Sequence, residues 1–107
     1  MKVRNMTGIN GRAIPNQFVI ETEENGIDLA VLGYKYADEL YQVEYFQSYD
    51  SVIVKKVFGG RLDIYLDRQY WDYSRTTGRY RNQFLGETKK ETQVKIDSGE
   101  YVLTDLN

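Results

Sequence analysis

A glycine pair, Gly59-Gly60, separates two short runs of alternating side chains, and no other feature constrains the fold more strongly. The flanking residues 51–58 and 61–66 are rich in the β-branched and aromatic side chains that strands favour. A glycine pair between two such runs is typical of a hairpin, because tight turns need positive φ values. The faces of the second predicted strand would carry Leu62, Ile64 and Leu66 on one side, and Arg61, Asp63 and Tyr65 on the other.

Three further segments alternate with the same two-residue period and are predicted to be strands. They are residues 2–6, 17–21 and 41–48. Between them, Asn10-Gly11 predicts a type I′ turn, and residues 23–26 predict an acidic turn.

Two stretches do not fit this regular pattern. Pro15 has no N–H to donate, so its own position is excluded from a central strand. Residues 27–39 carry apolar side chains at helical spacing, whereas Gly33 weakens a helix by about 1 kcal/mol relative to alanine. A short helix and an excursion between strands both stay open there.

The last third of the chain changes to helical signals. Residues 74–85 can form a helix that ends at Gly86. Thr88 and Glu91 match a capping box, which predicts a second helix over residues 89–97, and residues 101–103 are expected to return as a brief edge strand. Strands followed by helices predict a single α+β domain, with an antiparallel sheet of about five strands and one or two short C-terminal helices.

Composition excludes several kinds of chemistry. The chain has neither cysteine nor histidine, which rules out disulfides, thiol nucleophiles, imidazole catalysis and the usual zinc sites. Three carboxylates, Asp63, Asp67 and Asp72, could hold a metal or act as an acid–base pair, but solvated strand and turn positions explain them more simply. We therefore expect a protein that is not an enzyme and needs no metal or cofactor. No apolar run approaches the roughly 20 residues of a membrane helix, so we expect a soluble, cytoplasmic protein.

The net charge of −2 conceals a strong separation of charge along the chain. Residues 21–50 hold eight acidic side chains against one lysine, whereas residues 51–83 hold seven basic and three acidic ones. Tyrosines lie among the acids, and tyrosine suits contact surfaces because it joins a large ring to a polar tip. The candidate partner-binding residues of this acidic and aromatic surface are Glu23, Glu24, Asp28, Tyr34, Tyr36, Asp38 and Glu39.

A second candidate surface lies in residues 68–84, which combine four arginines with five aromatic side chains. Arginine forks bind phosphates or carboxylates, and aromatic faces stack on bases or fill pockets of a partner. The candidate residues for nucleic acid or a protein partner are Arg68, Tyr70, Arg75, Arg79, Tyr80 and Arg81. A structural alternative is equally open, in which Trp71 and Phe84 belong to the core and the arginines pair with the acidic block at 21–50.

Four blocks of the sequence carry a resemblance to a known group of proteins. They are MKVRNM at 1–6, IPNQFVI at 14–20, YFQSYDS at 45–51 and WDYSRTTGRYRN at 71–82. In this set and order the chain resembles a family of short bacteriophage and prophage proteins. In those relatives the second and third blocks lie closer together, so the resemblance implies that residues 22–43 are an acidic insertion. It implies a phage or mobile-element origin and assigns no catalytic residues.

The resemblance also directs the functional hypothesis. Small cysteine-free phage proteins of this size include many inhibitors of bacterial defence systems, among them anti-CRISPR proteins. We therefore expect a phage-encoded, non-enzymatic protein that binds and inhibits a bacterial host protein, such as a CRISPR effector or another nuclease. The alternative is a phage accessory protein that binds nucleic acid through residues 68–84. Both hypotheses place the protein in the bacterial cytoplasm, and neither involves a membrane.

Overall fold

The structure is a computed structural model, and it describes residues 1–26, 39–59 and 61–107. Within these ranges the strands are β1 (Lys2–Thr7), β2 (Ala13–Asn25), β3 (Leu40–Ser48), β4 (Ser51–Phe58), β5 (Leu62–Asp67) and β6 (Val102–Thr104). The helices are α1 (Arg75–Leu85) and α2 (Lys89–Asp97), which lie between β5 and β6 in the chain.

The six strands form one sheet in the order in which they occur in the chain. Each neighbouring pair from β1 to β5 is antiparallel, whereas β6 runs parallel to β5. The predicted α+β fold is confirmed, with one strand more than expected. The parallel edge has a topological cause, because the chain reaches β6 only after crossing back through α1 and α2.

The predicted hairpin across Gly59-Gly60 is confirmed by the pairing of β4 with β5. The alternation in β5 is also as predicted, but polar and apolar faces do not separate as the pattern implied. Leu66 is buried on the face that the helices cover, and Tyr65 is buried on the opposite face. The sheet is therefore covered on both sides near β5.

The second strand is much longer than its predicted core of residues 17–21. Residues 23–25, predicted to be part of an acidic turn, continue β2, and they pair with the first three residues of β3. That turn prediction was wrong, because cross-strand partners outweighed the local preference of acidic residues and asparagine for turns. The described ends of the predicted insertion, 22–25 and 40–43, thus lengthen the β2–β3 pair. The choice between a short helix and an excursion between strands concerns residues 27–38, and these lie outside the described residues.

Pro15 lies in an irregular part of β2. The pairing of β2 with β1 shifts between Asn5 and Thr7, and the pairing with β3 begins only at Gln17. Asn16 takes a φ of 63°, and the Asn5 side-chain amide donates to the Ile14 carbonyl at 2.9 Å. Proline therefore occupies a bulge, where no ladder hydrogen bond needs its missing N–H.

The turn between β1 and β2 differs from the predicted type I′ turn. Of the pair at its tip only Gly11 has a positive φ, of 77°, whereas a type I′ turn needs positive values at both central residues. The Gly11 N–H donates to the Gly8 carbonyl at 3.0 Å, and the Gly8 N–H donates to the Arg12 carbonyl at 2.9 Å. The longer loop removes the requirement for a left-handed Asn10.

Both helices begin and end as predicted from their capping residues. The Ser74 hydroxyl accepts from the Thr77 N–H at 3.1 Å, and Gly86, with a φ of 70°, closes α1 by donating to the Asn82 carbonyl. At the start of α2 both halves of the capping box between Thr88 and Glu91 are present. No helix in the described part of the chain is long and apolar enough to cross a membrane.

The buried apolar side chains form two clusters, one on each face of the sheet. The larger lies between the sheet and the helices, and its buried members are Met6, Val19, Phe46, Ile53, Val54, Ile64, Leu66, Tyr80 and Tyr101. Trp71 and Phe84 pack against this cluster while remaining partly exposed. The smaller cluster lies on the opposite face and consists of Tyr41, Val43, Val57 and Tyr65.

Polar contacts fix the position of α1 on the sheet. Near its amino end, the Thr77 hydroxyl shares a buried hydrogen bond of 2.8 Å with the Ser48 hydroxyl of β3. Near its carboxyl end, Lys56 of β4 donates to the Phe84 carbonyl at 2.7 Å, where a cation complements the helix dipole. Burial lowers the pKa of Lys56, while the charges of Glu44 and Glu87 oppose that change. These anchors hold α1 with one face against the sheet and the other toward solvent.

Candidate nucleic-acid interface

The exposed face of α1 borders an open groove of about 610 Å³, which we call the α1 groove. Its walls come from the segment before α1, from the first two turns of α1 and from the start of α2. The lining residues are Asp72, Tyr73, Ser74, Arg75, Gly78, Arg79, Arg81, Asn82 and Lys89. Four of these side chains are cationic and one is anionic, so the lining is positive although the protein as a whole is negative.

Helix geometry accounts for the exposed cations. Arg75 and Arg79 are four residues apart, so they lie above one another on the same side of α1. Both are exposed, and neither forms an ion pair among the residues that the structure describes. The first turn of α1 contains no acidic residue, so the positive end of the helix dipole adds to their charge.

Arg81 forms the floor of the groove and is 1 % exposed. Its Nη1 donates to the Trp71 carbonyl at 2.6 Å, its Nη2 donates to the Asn82 side chain at 2.9 Å, and its guanidinium lies 5.2 Å from the Trp71 ring centroid. Burial lowers the pKa of Arg81, and the nearby Asp72 opposes that change. Arg81 therefore holds the chain before α1 in place, while its charge remains under the groove.

Asp72 links the floor of the groove to the second helix. Its Oδ1 lies 3.5 Å from Arg81 Nη1, and its Oδ2 lies 2.7 Å from Lys89 Nζ. This bridge draws Lys89, at the start of α2, to the same groove as the arginines of α1. The single carboxylate of Asp72 cannot neutralise all four cations of the groove, and it pairs with neither Arg75 nor Arg79.

The groove brings together half of the predicted basic and aromatic residues, namely Arg75, Arg79 and Arg81. Arg68 lies elsewhere, with its Nε 3.8 Å from Asp105, and Tyr70 packs against the main core. Tyr80 is buried in that core, so its prediction as a surface contact was wrong. The ring of Tyr80 lies on the hydrophobic side of the amphipathic helix α1, which packs against the sheet.

Among the aromatic and cationic residues of the groove, sequence reasoning missed Tyr73 and Lys89. Tyr73 directly precedes the N-cap of α1. Nothing in the sequence distinguishes it from the other aromatic residues of segment 68–84. The capping box fixes where α2 begins, and therefore that Lys89 is its first residue, but not how α2 is oriented relative to α1. The bridge from Asp72 to Lys89 joins residues that are 17 positions apart, and no local pattern predicts it.

A family comparison covers this whole region. The model of a family of unknown function, DUF8033, matches residues 1–100. The chain belongs to this family. No curated protein and no solved structure matches the chain. The α1 groove lies entirely inside the DUF8033 match, which names no activity, and the predicted phage origin stays a prediction.

Of the acidic residues that the structure describes in this DUF8033 chain, Glu23 and Glu24 do not lie on the single surface that was predicted. Glu23 and Glu24 are adjacent in β2, and successive strand residues face opposite sides of a sheet. Glu23 is exposed and accepts from the Gln42 side chain at 2.9 Å, and Glu39 is also exposed. Four further members of the predicted surface lie outside the described residues: Asp28, Tyr34, Tyr36 and Asp38.

Glu24 is engaged inside the protein on the face opposite the helices. Its Oε1 lies 3.0 Å from Lys55 Nζ, and the Tyr45 hydroxyl donates to its Oε2. The side chains of Glu24 and Lys55 are only 20 % and 8 % exposed. Burial, together with Glu24, raises the pKa of Tyr45. The prediction that Glu24 belongs to an exposed partner-binding surface was wrong, and so was the pairing of Arg81 with the acidic block, since the carboxylate partner of Arg81 is Asp72.

The three carboxylates considered for metal or acid–base chemistry lie apart. Asp67 is buried, where it accepts from the N–H groups of Gln69, Tyr70 and Leu106 at 2.8 to 3.1 Å. Asp63 lies 3.1 Å from Arg61, and Asp72 belongs to the α1 groove. Across 1–26, 39–59 and 61–107, no three acidic side chains come together as a metal site. Asp67 instead ties the C-terminal segment to the turn after β5.

Proposed function

We propose that the α1 groove binds the phosphate backbone of nucleic acid, and that the protein is an accessory factor acting in the cytoplasm of a bacterial host. One observation carries this proposal. Exposed Arg75, Arg79 and Lys89 converge with the amino end of α1 on one open groove. Cationic side chains and helix amino ends are the groups that most often contact nucleic-acid phosphates.

The spacing of the cations fits an extended polyanion better than a single small anion. Arg75 and Arg79 are one helical turn apart, about 6 Å along the axis, and Lys89 lies on a different helix. Each arginine presents a planar fork that can bind a phosphate bidentately, whereas Lys89 acts as a point charge. Separate cations of this kind can each contact one phosphate of a continuous strand.

The overall charge of the protein sets the conditions for binding. A net charge of −2 gives no long-range attraction to nucleic acid, so the local potential of the groove must supply it. Local potentials are screened by salt over about 10 Å at 0.1 M ionic strength. We therefore expect measurable binding at low salt and a steep loss of affinity as salt is added.

Fluorescence anisotropy with labelled single-stranded DNA, single-stranded RNA and duplex DNA tests this proposal. Lys89→Ala should weaken binding on the order of 5- to 10-fold, the value of one partly exposed charged contact. Lys90→Ala is the matched control, because Lys90 is exposed, carries the same charge and lies next to Lys89 outside the groove. Equal effects of the two variants, or no binding of any nucleic acid at low salt, would overturn the proposal.

We also propose a second function, the binding and inhibition of a bacterial defence complex through protein contacts. It is supported by the resemblance to phage proteins and by the exposed carboxylates of Glu23 and Glu39. A pull-down from expressing bacterial cells, combined with an assay of defence activity, tests it. Retention of a CRISPR effector or another nuclease, with loss of its activity, is the expected result. Unchanged defence and no retained host protein would remove this function.

A further inference from the structure

We infer that the α1 groove takes single-stranded rather than double-stranded nucleic acid, with the ring of Tyr73 stacking on a base. This inference rests on the proposed nucleic-acid binding and names the form of the ligand. It depends on an aromatic side chain that lies beside the cations and that the fold leaves exposed.

Tyr73 is held at the groove but not buried by it. Its side chain lines the groove, and the residue is 46 % exposed. Its ring meets the ring of Tyr70 edge to face, with 5.3 Å between centroids, and Tyr70 packs against the main core. This contact supports the ring from one side and so reduces the side-chain freedom that is lost when a base binds.

The cations next to Tyr73 place a nucleic-acid backbone within reach of that ring. Tyr73 precedes Arg75 by two residues, and Ser74 between them is the N-cap of α1. The floor of the same groove contributes Arg81, whose buried Nε has no hydrogen-bond acceptor among the described residues. A strand whose phosphates contact Arg75 and Arg79 would therefore carry a base past the Tyr73 ring.

Stacking distinguishes the two forms of nucleic acid. In a duplex the base faces are already covered by neighbouring pairs, whereas a single strand can turn a base onto an aromatic side chain. Each such stack is typically worth a 5- to 150-fold change in affinity, about 1–3 kcal/mol. Contacts to base faces and phosphates do not read base edges, so we expect tolerance of sequence.

The experiment compares Tyr73 with a second exposed tyrosine. Tyr49 is 49 % exposed and does not line the groove, so Tyr49→Ala is the matched control for Tyr73→Ala. Anisotropy would be measured with a labelled thymidine strand of about 15 nucleotides, and with a duplex of the same length. Tyr73→Phe keeps the ring and removes only the hydroxyl. Circular dichroism and thermal melting verify that every variant is folded.

The expected results separate this inference from the function on which it rests. Tyr73→Ala should weaken single-strand binding roughly 5- to 150-fold and change duplex binding less than about 2-fold. Tyr73→Phe and Tyr49→Ala should both bind the single strand as the wild type does. If Tyr73→Ala has no effect while Arg75→Ala weakens both forms alike, the inference fails and the proposed function stands.

Two other outcomes overturn both statements. Absence of binding to either form at low salt removes the nucleic-acid function and this inference with it. Binding of polyglutamate, but not of DNA or RNA, that weakens with Arg75→Ala would instead identify an acidic protein partner.

Discussion

Glu87 is the acceptor at the centre of a buried polar cluster, and replacing it should be strongly destabilising. Its side chain is 6 % exposed and lies in the turn between α1 and α2. Its carboxylate accepts from Lys95 Nζ at 2.7 Å, from the Thr92 hydroxyl at 2.5 Å and from the Tyr101 hydroxyl at 2.8 Å. These contacts tie α2 to the segment that leads into β6.

The cost of Glu87→Ala follows from what the three donors lose. Thr92 and Tyr101 are buried, and a buried donor left without an acceptor costs about 1–3 kcal/mol. Lys95 is partly exposed, so water can replace most of its contact. We therefore expect a loss of about 3 kcal/mol in the free energy of unfolding, which lowers Tm by roughly 12–20 °C in a domain of this size.

Urea unfolding followed by tryptophan fluorescence measures this loss, because Trp71 is the single tryptophan and packs against the main core. Glu100→Ala is the control, since Glu100 is an exposed carboxylate on the same part of the chain. A loss below about 1 kcal/mol for Glu87→Ala would refute the reasoning. It would mean that the donors bind water about as favourably as they bind the Glu87 carboxylate.

The same cluster predicts a dependence of stability on pH. Burial tends to raise the pKa of Glu87, but its hydrogen bonds to Lys95, Thr92 and Tyr101 outweigh that effect and bring the pKa below its ordinary 4.5. The unfolded state then binds protons first as pH falls. The contribution of Glu87 is therefore complete above about pH 5 and is lost as pH falls through the folded-state pKa. Glu87→Gln should remove this part of the acid sensitivity, and an unchanged pH profile would contradict it.

Two further predictions concern local backbone features. Tyr49 takes a φ of 54° in the β3–β4 turn, so Tyr49→Gly should raise the urea midpoint by relieving about 1 kcal/mol of strain, and a lower midpoint would contradict this. Ser74→Ala removes the acceptor for the Thr77 N–H and should lower the free energy of unfolding by about 1 kcal/mol. Ser74→Asp should retain the cap. Equal stabilities of the two variants would show that the cap contributes nothing.

Two kinds of local signal, the helix caps and the glycine pair between alternating runs, predicted the structure well. The ends of α1 and α2 follow from Ser74, Gly86 and Thr88, because a cap is decided within four residues of the chain. The β4–β5 hairpin follows from alternation on both sides of a glycine pair. In each case the interaction that fixes the element joins residues close together in the sequence.

Features that depend on distant partners were not predicted. Residues 23–25 extend β2 because β3 offers them partners, which their own composition does not show. Glu24 is withdrawn from the surface by Lys55 and Tyr45, which lie about 20 to 30 positions further along the chain. Within the α1 groove, the spacing of Arg75 and Arg79 could be read from a helical period, whereas the contribution of Lys89 required the relative orientation of two helices.

The salt dependence of nucleic-acid binding tests the central claim most directly. Three phosphate contacts by Arg75, Arg79 and Lys89 predict a slope of about −2 for log affinity against log salt on a single strand. Arg75→Ala combined with Arg79→Ala should reduce that slope to about −0.7, because two contacts are lost. Arg12→Ala combined with Arg61→Ala removes the same charge away from the groove and should leave the slope near −2. A slope that is the same in all three proteins would contradict the assignment of the α1 groove as the binding site.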